Sequence, residues 1–129
     1  MFVQNLNDTQ QSYLLALSKE LIGIDGELDE KELAMLQILE SQCNDGIEEV
    51  DVDFETLTTV FEDQIHKTSL LLELIGLAYS DSAFHETEKK WLEKLIGALG
   101  IENSKYQKMV TWVEAQMKLV VDAQELMEA

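Results

Sequence analysis

The chain has 129 residues, 46% of them hydrophobic, which fits one folded domain and excludes a disordered chain. It carries 26 acidic residues against 9 lysines and no arginine, a net charge of −17, so nucleic acid and anionic membrane are poor partners and a divalent cation or a basic protein surface is a better one. A single cysteine, Cys43, excludes an internal disulfide and a Cys-based zinc site. With no secretory leader in MFVQNLNDTQ and no apolar run of bilayer length, the expected setting is a reducing cytoplasm.

Apolar residues recur at helical spacing nearly throughout. The first helix is expected over about Thr9–Ile24, capped by Asn7 or Asp8, with Tyr13, Leu14, Leu17, Leu21 and Ile24 as one stripe. Asp25-Gly26 ends it, because glycine accepts the left-handed conformation of a helix C-terminus. The second is expected over about Glu30–Gln42, with Asp29 and Glu32 in the form of a capping box and Leu33, Leu36, Leu39 and Cys43 facing inward.

Residues 44–52, NDGIEEVDV, read as an acidic loop. Asp53 caps an expected third helix whose buried side is Phe54, Leu57, Val60, Phe61 and Ile65. The fourth, about Lys67–Tyr79, is apolar nearly all round and belongs at the centre of a bundle. The fifth starts near His85 or Glu86, runs along Trp91, Leu92, Leu95, Ile96 and Leu99, and stops at Gly100. The sixth runs from about Ser104 to the end, with Tyr106, Met109, Val110, Val113, Met117 and Val120 as its stripe. Trp91 and Trp112 both read as core residues. No stretch alternates with period two. The expected fold is all-α, a single-domain bundle of about six helices over residues 1–129.

The chain also repeats itself. LIGIDGELDEKELAML (21–36) aligns with LAYSDSAFHETEKKWL (77–92), fifty-six positions on. Asp25 meets Asp81, Glu30 meets Glu86, Glu32 meets Glu88 and Leu36 meets Leu92. The bundle is therefore expected to contain two related hairpins, about 9–43 and 66–100.

Two explanations fit the repeated acids. Asp and Glu stabilise the first turn of a helix against its dipole by about 0.3–1 kcal/mol each, so capping alone accounts for them. Alternatively the four carboxylates of Asp25, Glu32, Asp81 and Glu88 converge on a divalent cation, such as Ca²⁺, Mg²⁺, Mn²⁺ or Zn²⁺. An EF-hand is excluded. In the frame from Asp25, position six is Glu30 where glycine is required, and position twelve is Leu36 where a bidentate glutamate is required. His85 stands in the slot of Asp29 and reads as a surface residue more readily than a ligand. His66 has no evident partner in sequence. Cys43 reads as a small core hydrophobe. No nucleophile elbow, Ser–His–Asp spacing or phosphate loop is present, so no catalytic residue is named.

The segments IGIDGELDEKELAMLQIL and LAYSDSAFHETEKKWLEKLIGALG resemble the TerB-like family, which includes tellurite-resistance proteins and the N-terminal regions of some DnaJ-like co-chaperones. The resemblance spans about residues 13–101. It implies a duplicated all-helical fold with an acidic centre that binds a divalent cation, at positions Asp25, Glu32, Asp81 and Glu88. The second half departs from the pattern: Ser82 replaces the turn glycine, Ala83 the acid after it, and His85 a further acid. A J-domain is excluded, because its His-Pro-Asp motif needs proline and the chain has none. The expected function is a non-enzymatic module in stress response or scaffolding. The alternative is an acidic DNA mimic that occupies a basic partner.

Overall fold

Asn7 opens the first helix, α1 (Asp8–Ile22), in a computed structural model that describes residues 1–24, 26, 30–79 and 85–129. Its side chain accepts from the Gln10 backbone N–H at 2.9 Å, and the Gln10 side chain accepts from the Asn7 N–H at 2.9 Å. This reciprocal capping box satisfies two donors that the helix cannot satisfy itself. The remaining helices are α2 (Glu30–Gln42), α3 (Leu57–Val60), α4 (Gln64–Ala78), α5 (Glu86–Leu99) and α6 (Asn103–Glu128). Short 3₁₀ turns occupy Val3–Asn5 and Phe54–Thr56. The described residues contain no strand.

The two halves coincide in register. α4 begins and ends fifty-six positions after α1, and α5 begins fifty-six positions after α2. Burial follows the same offset. Leu14 and Leu70, Leu15 and Leu71, Leu21 and Leu77, Leu36 and Leu92, and Leu39 and Leu95 are all core residues. α1 packs on α4, α2 packs on both, and so does α5. This exchange of contacts is what a twofold relation between the hairpins produces. α4 also touches α6 and the N-terminal 3₁₀ turn, so the helix that is apolar nearly all round is the one enclosed by neighbours. Gly100 ends α5 at φ 70°, a conformation that costs glycine little.

The third helix departs from expectation. A continuous helix from Asp53 through Ile65 is replaced by the 3₁₀ turn, the four residues of α3 and a break at Phe61, whose φ of −116° and ψ of 82° are not helical. Two interactions hold the break open. Phe61 is fully buried, and the Val60 carbonyl accepts from Gln10 Nε2 at 2.9 Å instead of from a helical N–H. α4 therefore starts at Gln64, and Ile65, expected inside, is exposed on its first turn.

Four other residues expected inside are exposed. Ile24 lies past the end of α1, which stops at Ile22. Leu33 lies about a quarter-turn from the buried stripe of Glu32, Leu36 and Leu39. Trp112 sits at the edge of the bundle with its ring edge-on to Phe2, centroids 5.6 Å apart. Val120 falls where α6 has outrun its neighbour. The 26 residues of α6 extend about 39 Å, whereas the 15 of α4 extend about 22 Å, and the buried residues of α6 end at Val113.

Gln10→Ala removes half the capping box and leaves the Val60 carbonyl without its donor. It is expected to destabilise the fold by about 1–3 kcal/mol in urea denaturation, whereas Gln107→Ala, on the outer face of α6, is expected to be near neutral. A second expectation concerns Tyr106. Burial, the nearby Glu93 charge and Tyr79 push its phenol up to about 12 from the usual 10. The unfolded chain then releases this proton first. The stability from the neutral phenol is complete below pH about 10 and declines as pH rises towards 12. Burial and then Glu114 also raise the Tyr79 phenol, so absorbance titration at alkaline pH should show Tyr106 as the last tyrosine to titrate, and Tyr106→Phe should abolish that last phase.

Candidate metal centre

The four candidate positions divide into two groups. Asp25 and Asp81 lie outside the described residues, as does Asp29. Glu32 and Glu88 are described, and they are buried, at 3% and 1% exposure. Each stands in the first turn of its helix, four residues before a buried leucine and seven before another: Leu36 and Leu39 in α2, Leu92 and Leu95 in α5. That spacing puts both carboxylates on the core-facing stripe. Their neighbours Glu30 and Glu86, which share the same first turns, are exposed.

Capping explains Glu30 and Glu86 fully. It explains Glu32 and Glu88 less well, because facing a helix dipole does not require leaving water. Glutamate is almost never buried this deeply unless something compensates its charge. Both groups are engaged by neighbours. The helices that carry them, α2 and α5, each pack on both α1 and α4.

The second half is fixed in place by an indole. Trp91, one turn beyond Glu88, donates from Nε1 to Glu20 Oε1 on α1 at 3.1 Å. Its ring meets Phe54 edge-on at 6.0 Å, and Lys94 Nζ lies 5.2 Å from the centre of the same Phe54 ring. The first half is fixed by the acidic loop. The Asn44 N–H donates to Gln11 Oε1 at 2.8 Å, Asn44 Nδ2 donates to Asp8 Oδ1 at 2.7 Å, and Lys19 pairs with Glu49 and, at 4.0 Å, with Glu40. These contacts were not anticipated, since they join residues far apart in sequence with no shared motif.

The remaining candidates do not assemble into a ligand set. His85 is the exposed residue preceding α5 and makes no side-chain cap. His66 pairs locally with Asp63, Nδ1 to Oδ2 at 3.8 Å. Cys43 is half-buried, and burial, followed by the charges of Glu40 and Glu73, raises its thiol above the usual range, the opposite of what a reactive thiolate needs. Among the described residues no cluster of three or more His, Cys, Asp or Glu side chains is placed to hold a metal. What the described residues do offer is two buried carboxylates, a donor chemistry suited to a hard cation.

Paired helical hairpins, repeated in register with a buried glutamate at the same point in each, define the class of protein. The family follows from comparison with family models: the model for tellurite resistance protein TerB matches residues 11–111, and the chain belongs to this family. Comparison with curated proteins and with solved structures gives no match. No helix among the described residues is long and apolar enough to cross a membrane.

Cys43 is expected to react slowly with a neutral thiol reagent in the folded protein and at an ordinary thiol rate in denaturant. A rate in the folded protein that matches the denatured one would overturn its assignment as an inert thiol.

Proposed function

We propose that this TerB-family chain is a non-enzymatic module that holds a divalent cation between its two hairpins and works in stress response or as a scaffold. The supporting observation is the matched burial of Glu32 and Glu88 at equivalent positions of α2 and α5. Asp25 and Asp81, seven residues before Glu32 and Glu88 in sequence, complete the proposed set. Four carboxylates favour Ca²⁺, Mg²⁺ or Mn²⁺ over Zn²⁺, which prefers nitrogen and sulfur donors. A cation cross-links two hairpins that otherwise meet through apolar packing and the Trp91–Glu20 hydrogen bond.

Thermal melting in each metal against chelator tests the proposal. At about 100 times its dissociation constant, a cation that binds only the folded state stabilises by about 2.7 kcal/mol, a shift of several degrees. The shift is expected to vanish in Glu32→Gln with Glu88→Gln, and also in Asp25→Asn with Asp81→Asn. An undiminished shift in both double variants, or no shift in the wild type with any of the metals, would exclude the site.

One observation favours a second reading. Asp45, Glu48, Glu49, Asp51, Asp53 and Glu55 are all exposed within one short segment, a surface suited to a basic protein that DNA would compete away.

A further inference from the structure

We propose that Glu73 and Gln42 form a recognition site for a free α-amino group, filled by the chain's own Met1, and that this contact is a latch: it holds Met1 and Phe2 against α4, and an acyl group on the Met1 nitrogen opens it. Glu73 Oε1 accepts from the Met1 ammonium at 3.2 Å and from the Phe2 backbone N–H at 2.7 Å. Gln42 Oε1, on the last residue of α2, accepts from the same ammonium at 3.2 Å. Glu73 is the one carboxylate within α4, and only 14% of its side chain is exposed. Its repeat equivalent is Leu17, a core residue, so this acid is not among the features that the two halves share. A carboxylate drawn into an apolar helix is costly without a compensating partner, and the positive group bonded to this one is the Met1 ammonium.

The residues that follow are anchored separately. Val3 and Leu6 are core residues, Asn5 Nδ2 donates to Ser69 Oγ at 3.0 Å, and Gln11 Nε2 donates to the Val3 and Leu6 carbonyls at 3.4 and 3.0 Å. Met1 and Phe2 lie beyond those anchors. The Phe2 ring stands edge-on to Trp112, Gln116 Nε2 donates to Met1 Sδ at 3.5 Å, and the two residues form one wall of the groove beside Met35 and Ile38. Their hold on α4 depends on the state of one nitrogen. An ammonium offers three N–H donors and a full charge to the two acceptor oxygens. An acylated nitrogen offers one N–H and no charge, and it adds a carbonyl oxygen beside two other acceptors. The free amine therefore keeps Met1 and Phe2 down. The acylated one releases them, takes the Phe2 ring from Trp112 and widens the groove.

Cys43, the single cysteine, allows the full chain to be assembled by ligating a synthetic 1–42 thioester to residues 43–129, with the Met1 nitrogen either free or acetylated. Hydrogen exchange followed by NMR then reads the Asn5 amide, which donates to the Phe2 carbonyl at 3.0 Å. That amide is expected to exchange about tenfold faster in the acetylated chain, with helical circular dichroism unchanged. A glycine added ahead of Met1 carries the ammonium out of the site and is expected to act as acetylation does. In Glu73→Leu, which installs the residue found at the equivalent position 17, acetylation is expected to change nothing, because the free amine no longer meets a carboxylate. Equal exchange in the free and acetylated chains overturns the proposal, as does an extended chain that is protected like the free one. So does an effect of acetylation that persists in Glu73→Leu, since crowding by the acetyl group would then be its cause. None of these readouts depends on metal, so the outcome is separate from that of the cation test.

Discussion

The packing of α1 against α4 is the contact on which the rest of the molecule depends. Leu14, Leu17 and Leu21 on one helix and Leu70, Leu71, Leu74 and Leu77 on the other are essentially removed from water. At about 25 cal/mol per Å² of apolar area, each such leucine contributes roughly 2 kcal/mol relative to an exposed one. Because the two helices occupy equivalent places in a repeat, their contact lies on the relation between the halves. Every outer element is then placed by it. α2 and α5 each touch both central helices, and α6 and the N-terminal turn close over the far side of α4. A change that loosened the central pair would loosen both candidate glutamates together.

That dependence sets how much the sequence reveals. The hairpin helices could be read with accuracy because their apolar stripes are long and their ends are marked: α2 runs over the predicted Glu30–Gln42, and Gly100 ends α5 with positive φ. The segment between the hairpins could not. Leu57, Val60 and Phe61 have helical spacing, but Phe61 gains more from entering the core than from extending α3, and Gln10, fifty residues away, takes up the Val60 carbonyl that the break exposes. Tertiary contact outweighs local periodicity there, and nothing local signals it. Trp112 and Val120 were misplaced for a related reason. A stripe of apolar residues shows which side of a helix seeks cover, not whether the same chain supplies it.

The candidate site shows the same division. The acids of the two helix starts could be found by eye, and capping accounts for most of them. The information that separates Glu32 and Glu88 from Glu30 and Glu86 was also present, since they stand four and seven residues before buried leucines. It is easily missed, because a charged residue on an apolar stripe is usually scored as an interruption of the stripe. A buried carboxylate at a repeat-equivalent position in both halves is a different matter. Burying a carboxylate is costly unless neighbours engage it, so a matched pair in both halves marks a position where each half supplies such neighbours.

The two halves have also diverged where they meet the outside. Trp91 of α5 and Glu20 of α1 are bonded across the bundle, but their repeat equivalents are Met35 and Gly76, which make no such bond and line a groove. The half that holds Trp91 is closed over by Phe54 and Lys94. The half that holds Met35 is left open beside Trp112. Closing the first cleft with an indole and a carboxylate fixes α5 and with it Glu88. Leaving the second open costs the monomer the burial of Met35, Ile38 and Trp112, which another surface must recover if they are to stabilise anything. Symmetry within the fold thus accounts for the matched glutamates, and the breaking of that symmetry accounts for the open groove beside Trp112.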